Sequence, residues 1–154
     1  MLKFEGYEIV FQEVPDEISL VFNVTGCPYR CVGCHSEYLQ DDVGLPLNDN
    51  IFPIIEKNLD AISCVCFMGG DHELRELTSI IIDIRLKYPN LSICLYTGND
   101  KPHRILYKIV DYLKIGHFDK DRGGLKSPTT NQRMFKIDTV KTDITYKFRK
   151  EYDE

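Results

Sequence analysis

The sequence predicts an α/β fold of about four to six mainly parallel strands joined by helical crossovers, and three observations predict it. Apolar runs of strand length, without a polar face, recur along the chain and stop at glycines. Segments with apolar residues at helical spacing stand between several of them, as expected of parallel strands buried on both faces. The 154 residues amount to a single domain, 1–154, with a core over 18–118 and a C-terminal loop and tail over 119–154. They are too few for a complete eight-unit barrel, which needs at least about 200.

The elements follow in order. Tyr7, Ile9 and Phe11, at period two, predict a strand or hairpin before residue 18. Residues 18–25 (ISLVFNVT) are β-branched and aromatic and end at Gly26, a strand followed by a loop. Ile51, Ile54, Ile55 and Leu59 predict a short helix, and 61–67 (AISCVCF) a second buried strand that stops at Gly69-Gly70-Asp71. Leu74, Leu77, Ile81, Ile84 and Tyr88 share one helical face, with Pro89 as the stop. A third strand over 91–97 (LSICLYT) ends near Gly98, a helix is expected over about 102–110, and a fourth strand over 112–115 ends at Gly116. Beyond His117 the chain is rich in turns; Met134, Phe135 and Ile137 offer a last short strand, but the tail reads as too polar to be core.

Apolar residues at 43% and charged residues at 28% exclude a disordered or fibrous chain. Nineteen Lys and Arg against twenty-four Asp and Glu give a net charge of -5 with no basic block, which argues against a nucleic-acid partner. No apolar run approaches the roughly 20 residues that span a bilayer, and Met1-Leu2-Lys3-Phe4-Glu5 is not a signal-peptide core, so the expectation is a cytoplasmic protein with no membrane partner.

Cytosolic thiols stay reduced, so clustered cysteines there point to metals or catalysis. Cys27, Cys31 and Cys34 form C-x3-C-x2-C in the loop after the first strong strand, with Gly26, Pro28 and Gly33 allowing a tight wrap. Thiolates select zinc, copper(I) and iron-sulfur clusters. Three of them leave one iron of a cubane open to a substrate or cofactor, whereas a zinc site prefers four ligands in C-x2-C pairs. Two plainer readings remain: coincidence, or zinc completed by His35. Cys64, Cys66 and Cys94 lie in apolar strand runs and read as core fillers rather than as a second cluster site. In parallel α/β sheets the binding face lies beyond the carboxyl ends of the strands. The loops at 26–35, 69–71, 97–99 and 116–117 all fall at such ends.

The cysteine spacing is similar to the signature of the radical S-adenosylmethionine enzymes. Phe67-Met68-Gly69-Gly70-Asp71 resembles that superfamily's GGE or GGD motif, although the same residues suit a strand-to-helix turn with Asp71 as its N-cap. Within the superfamily the chain looks like the activating proteins of anaerobic ribonucleoside-triphosphate reductases. The matching elements are Val24-Thr25-Gly26-Cys27, the cysteine loop, Gly69-Gly70-Asp71, Tyr96-Thr97-Gly98, Gly116 with Phe118, and Thr130-Asn131-Gln132-Arg133. The resemblance implies an incomplete (β/α) barrel and an oxidoreductase with a 4Fe-4S cluster on Cys27, Cys31 and Cys34. It also implies S-adenosyl-L-methionine on the open iron, within reach of Gly33, Cys34, His35, Gly69, Gly70, Asp71, Thr97, Gly98 and His117. Reductive cleavage of that cofactor would generate a glycyl radical on the large subunit of the reductase, with an electron donor such as a flavodoxin. The alternatives are activation of another glycyl-radical enzyme, or a zinc or iron-sulfur binding module without catalysis.

Two departures from the family pattern stand out: His72 follows GGD where the family has Pro, and Ile115-Gly116-His117 replaces Asp-Gly-Lys. Lys114 is expected to point away from that face. The segment 117–133 is expected to form a rim for the partner, with Asn131, Gln132 and Arg133 bonding an extended backbone.

Overall fold

The computed structural model describes residues 1–28 and 40–149. Strands β1 (Lys3–Val10), β2 (Ser19–Val24), β3 (Leu45–Pro46), β4 (Cys64–Met68), β5 (Ser92–Tyr96), β6 (Tyr112–Ile115), β7 (Arg133–Ile137) and β8 (Lys141–Asp143) form one sheet. Helices α1 (Leu47–Asn58), α2 (Leu74–Lys87) and α3 (Leu106–Ile109) lie between strands in the chain. The spatial order is β3-β1-β2-β4-β5-β6-β7-β8.

This corrects the predicted incomplete barrel of mainly parallel strands with helical crossovers. The sheet is mixed, with few helices. Strands β2, β4, β5 and β6 pair in parallel, but the four outer pairings are antiparallel. The reason lies in the connections. Residues 11–18 between β1 and β2 are too few for a crossover, which needs a dozen or more, so the chain returns antiparallel. The expected helix over 102–110 is a single turn, Leu106–Ile109, with Pro102 and a pair of turn residues ahead of it.

Alternation divides the central strands between two faces. Phe22, Phe67, Ile93, Leu95 and Leu113 join Ile51 and Ile55 of α1 and Leu77, Ile80, Ile81 and Ile84 of α2 in the larger core cluster. The opposite face carries Val21, Cys64, Cys66, Cys94 and Tyr112, packed with Val14, Met134 and Ile144. Each large apolar side chain so buried stabilises the fold by roughly 1.5 to 3 kcal/mol. Arg85 of α2 ties the helix layer to the sheet: its Nε donates to the Ile109 carbonyl, and its Nη2 lies 2.8 Å from Asp111 Oδ2. Asp111 also accepts the Ile93 amide.

The expectation that the tail is too polar for the core is likewise corrected. Met134, Ile144 and Thr145 are buried, and Thr145 Oγ1 accepts the Met134 amide at 2.9 Å. The polar residues that misled the reading sit on β8, at the edge of the sheet, where all three residues are exposed. No helix among the described residues is long and apolar enough to cross a membrane.

Met134→Ala is expected to destabilise the protein by about 2 to 5 kcal/mol, the usual cost of emptying a buried Met site. Urea denaturation checks it; a dispensable tail would leave the midpoint unchanged.

Candidate functional site

Strand β2 runs into Thr25 and Gly26, where the cysteine segment begins. Thr25 Oγ1 donates to the Val43 carbonyl at 2.6 Å, and the Gly26 amide donates to the Asp41 carbonyl at 3.0 Å. The chain at 41–43 is therefore bonded to the two residues that precede Cys27. Gly26 has φ +77°, and a Cβ there would lie 3.3 Å from His72 Nε2. A side chain at 26 would meet both the left-handed backbone and the imidazole. Cys27 is half-buried at this root. Cys31, Cys34, Gly33 and His35 lie outside the described residues.

Next to this root, β4 ends at Gly69 and Gly70, with φ of +95° and +117°. Two successive left-handed residues turn the chain into a 3-10 turn, Asp71–Glu73, that leads to α2. The turn has no side-chain cap, which goes against the reading of Asp71 as N-cap. Asp71 Oδ2 instead accepts from Thr97 Oγ1 at 2.7 Å. Two predicted site residues from neighbouring strand ends thus meet directly. The Thr97 hydroxyl also accepts the Asn99 amide at 3.0 Å, so it fixes the turn that contains Gly98.

The fourth strand end joins the same mouth. The Gly116 amide donates to the Asn99 carbonyl at 3.0 Å, and the His117 amide to Asp100 Oδ1 at 3.1 Å. The His117 ring lies 2.9 Å from the same oxygen, exposed to solvent. That hydrogen bond holds the Asp100 carboxyl below its usual range. His117 therefore pairs with Asp100 at the rim.

Lys114 points away from the Ile115 face, as its place in the alternation predicts, but its role was missed. It is buried, and its Nζ donates to the Gly116 carbonyl at 2.8 Å and the Thr97 carbonyl at 3.4 Å, 5.9 Å above the Tyr96 ring. An ammonium thus stands under the mouth and stitches two strand ends together. The signal was parity: Lys114 shares the face of Tyr112, opposite Leu113.

The residues expected at a partner rim bond within the chain. Asn131 Nδ2 donates to the His117 carbonyl, Gln132 is buried with Nε2 3.4 Å from the Gly116 carbonyl, and Arg133 lies 3.6 Å from Asp143. Asn131 and Gln132 thus buttress the end of β6, and Arg133 ties β7 to β8.

The two sets of thiols differ in kind. Burial pushes the Cys64 and Cys94 thiols well above their ordinary range, which keeps them protonated in apolar surroundings. No group of three or more His, Cys, Asp or Glu among the described residues is arranged to hold a metal ion. Cys64, Cys66 and Cys94 are core, and the donors left for a metal group are Cys27 with the loop cysteines Cys31 and Cys34. Three cysteines, of which Cys27 stands beside the carboxyl end of β2, fit an iron-sulfur cluster in donor chemistry.

The Asp100 pairing has a consequence in pH. A carboxylate with a lowered native pKa adds stability that is complete above its unfolded value of about 3.9 and is lost as pH falls through the native value. His117→Ala is expected to raise the Asp100 pKa toward about 3.9, read by carbon-detected NMR titration. An unchanged titration would mean that the pairing does not persist in solution.

The model of the 4Fe-4S single cluster domain family matches residues 18–132. That span begins at the foot of β2, contains the three loop cysteines and all four parallel strands, and ends at the buried Gln132. No match was found among curated proteins or among solved structures. With most of its length matched, this chain belongs to the 4Fe-4S single cluster domain family.

Proposed function

We propose that the chain is a radical S-adenosylmethionine activase, which generates a glycyl radical on the large subunit of an anaerobic ribonucleotide reductase. One observation carries the reading. The family is built around a 4Fe-4S cluster, and the chain has only three thiols suited to it, since its other three are buried in the core. A cubane with three protein ligands keeps one iron for an exogenous chelate such as the amino and carboxylate groups of S-adenosylmethionine.

The residues around the mouth support the same chemistry. Asp71 offers a carboxylate to a ligand ammonium while Thr97 holds it in orientation. Gly69 and Gly70 supply the two left-handed backbone residues of the turn beside it. Lys114 and the Asp100–His117 pair brace the strand ends that frame the site. Bound cluster and cofactor together supply a one-electron cleavage that yields methionine and a 5'-deoxyadenosyl radical, which takes hydrogen from a backbone glycine. The reading implies two protein partners, the reductase subunit and an electron donor such as a flavodoxin.

One observation favours a second reading. The His72 imidazole stands beside Gly26, at the root of the cysteine loop, where the resembled family has Pro. As a fourth ligand it would close the cluster and leave an electron-transfer or zinc module.

Anaerobic reconstitution with an iron, sulfide and zinc count, followed by assay for 5'-deoxyadenosine with dithionite, separates the two. Cys27→Ala, Cys31→Ala and Cys34→Ala are each expected to lose iron and cleavage together, while Cys64→Ala keeps both. Asp71→Ala is expected to keep the iron and weaken S-adenosylmethionine binding about ten- to a hundredfold, the worth of one hydrogen bond to a charged group. A full iron count with no cleavage in the parent chain, and with cleavage gained by His72→Ala, would establish the closed module instead.

A further inference from the structure

A cleft of about 600 Å³ opens between the first turn of α2 and the segment that carries α3. Its walls bear Arg75, His103, Arg104 and Lys108, with the Thr78 hydroxyl, over an apolar floor of Leu74 and Ile105. No carboxylate lines it, although the chain as a whole carries a net charge of -5. Arg75, Arg104 and Lys108 form no salt bridge among the described residues. Farther along α2, by contrast, Arg85 and Lys87 are each matched by a carboxylate, Asp111 and Glu56. Cations without a salt-bridge partner thus line the cleft on both walls, beside the first turn of α2.

The position gives the charge a use. Arg75 follows His72 by three residues of helical turn, about 5 to 6 Å along the axis. The His72 imidazole in turn borders Gly26, the residue before Cys27. His103 and Arg104 follow the end of β5, beyond Thr97 and Asp100. The cleft therefore flanks the root of the cysteine loop on the side away from Lys114.

We propose that this cleft is the docking surface for an acidic one-electron carrier protein that reduces the cluster. The proposal rests on the reading of the chain as a cluster enzyme. Charge complementarity selects the partner: a carrier with an acidic face is repelled by the net charge of this chain and drawn to a cleft that cations line without a carboxylate. The exposure of Arg75, Arg104 and Lys108 favours a protein over a small phosphate. Solvated, screened side chains steer an encounter and hold a small anion weakly, whereas a protein face adds apolar contact with Leu74 and Ile105. Interfaces of transient electron carriers are small, and a cleft of this size suits them. In the transfer, an anionic flavin hydroquinone on the carrier gives up one electron and becomes the neutral semiquinone. The oxidised cluster gains that electron, and no proton changes hands.

The test uses the full chain and a flavodoxin as probe. Binding of oxidised flavodoxin, followed by calorimetry, needs no cluster. Arg75→Glu with Arg104→Glu and Lys108→Glu is expected to weaken it at least about tenfold, while Lys57→Glu with Lys136→Glu, exposed positions elsewhere, leaves it unchanged. Raising salt from about 0.02 to about 0.5 M should weaken the parent chain's binding comparably. With the cluster loaded, the first variant should slow reduction by flavodoxin hydroquinone in stopped flow and spare reduction by dithionite. Equal flavodoxin affinity for the two variants would overturn the docking proposal. So would loss of pyrophosphate binding alone in the first variant, which would mark a small-anion site. Failure of the parent chain to take up iron would instead refute the cluster reading, and the binding comparison would still judge the surface.

Discussion

Everything about the site depends on one constraint: four parallel strands that pair residue for residue and stop together. Ser19 faces Cys64, Cys64 faces Ser92, and Cys94 faces Tyr112, so β2, β4, β5 and β6 reach their carboxyl ends on one edge. Backbone bonds then join one end to the next. The Gly69 amide donates to the Tyr96 carbonyl, Thr97 to Lys114, and Gly116 to Asn99. Chain segments far apart in sequence become a single mouth because the ladder leaves them no other place to emerge.

On that frame the polar groups divide the work. Bonds inside the protein engage Thr97, Asn131, Gln132 and Lys114, and their removal would loosen strand ends. Asp71 keeps one carboxylate oxygen beyond its bond to Thr97, and Cys27 stands half-buried at the loop root. The cysteines are separated in the same way, because Cys64, Cys66 and Cys94 are buried in the sheet interior, where burial pushes the Cys64 and Cys94 thiols up, while the other three belong to the segment after β2.

Much of this arrangement was legible in the sequence, and the exceptions have physical causes. The four apolar runs each became a parallel strand, displaced by at most a few residues, because a strand buried on both faces has to be apolar throughout. Of the outer strands, β1 and β7 were legible from their apolar residues, whereas β3 and β8 escaped because β3 has two residues and all three of β8 are exposed. The barrel expectation failed there, since those edges extend the sheet on both sides. Alternation put Lys114 on the correct face, but its burial was not legible, because the backbone carbonyls that satisfy its ammonium come together only on folding. His72 was noticed as a departure, but its neighbour Gly26 lies 46 residues earlier and only folding brings the two together. The basic cleft was invisible for the same reason, as Arg75 and the residues at 103–108 belong to different elements.

The central claim is that one iron of the cluster has no ligand from this chain. Mössbauer spectroscopy of the chain reconstituted with iron-57, with and without S-adenosylmethionine, tests it most directly. The account predicts that one iron in four changes its isomer shift on addition of S-adenosylmethionine while the other three do not. Four irons that ignore the cofactor would contradict it, and would mean that a residue of the chain, His72 foremost, completes the cluster.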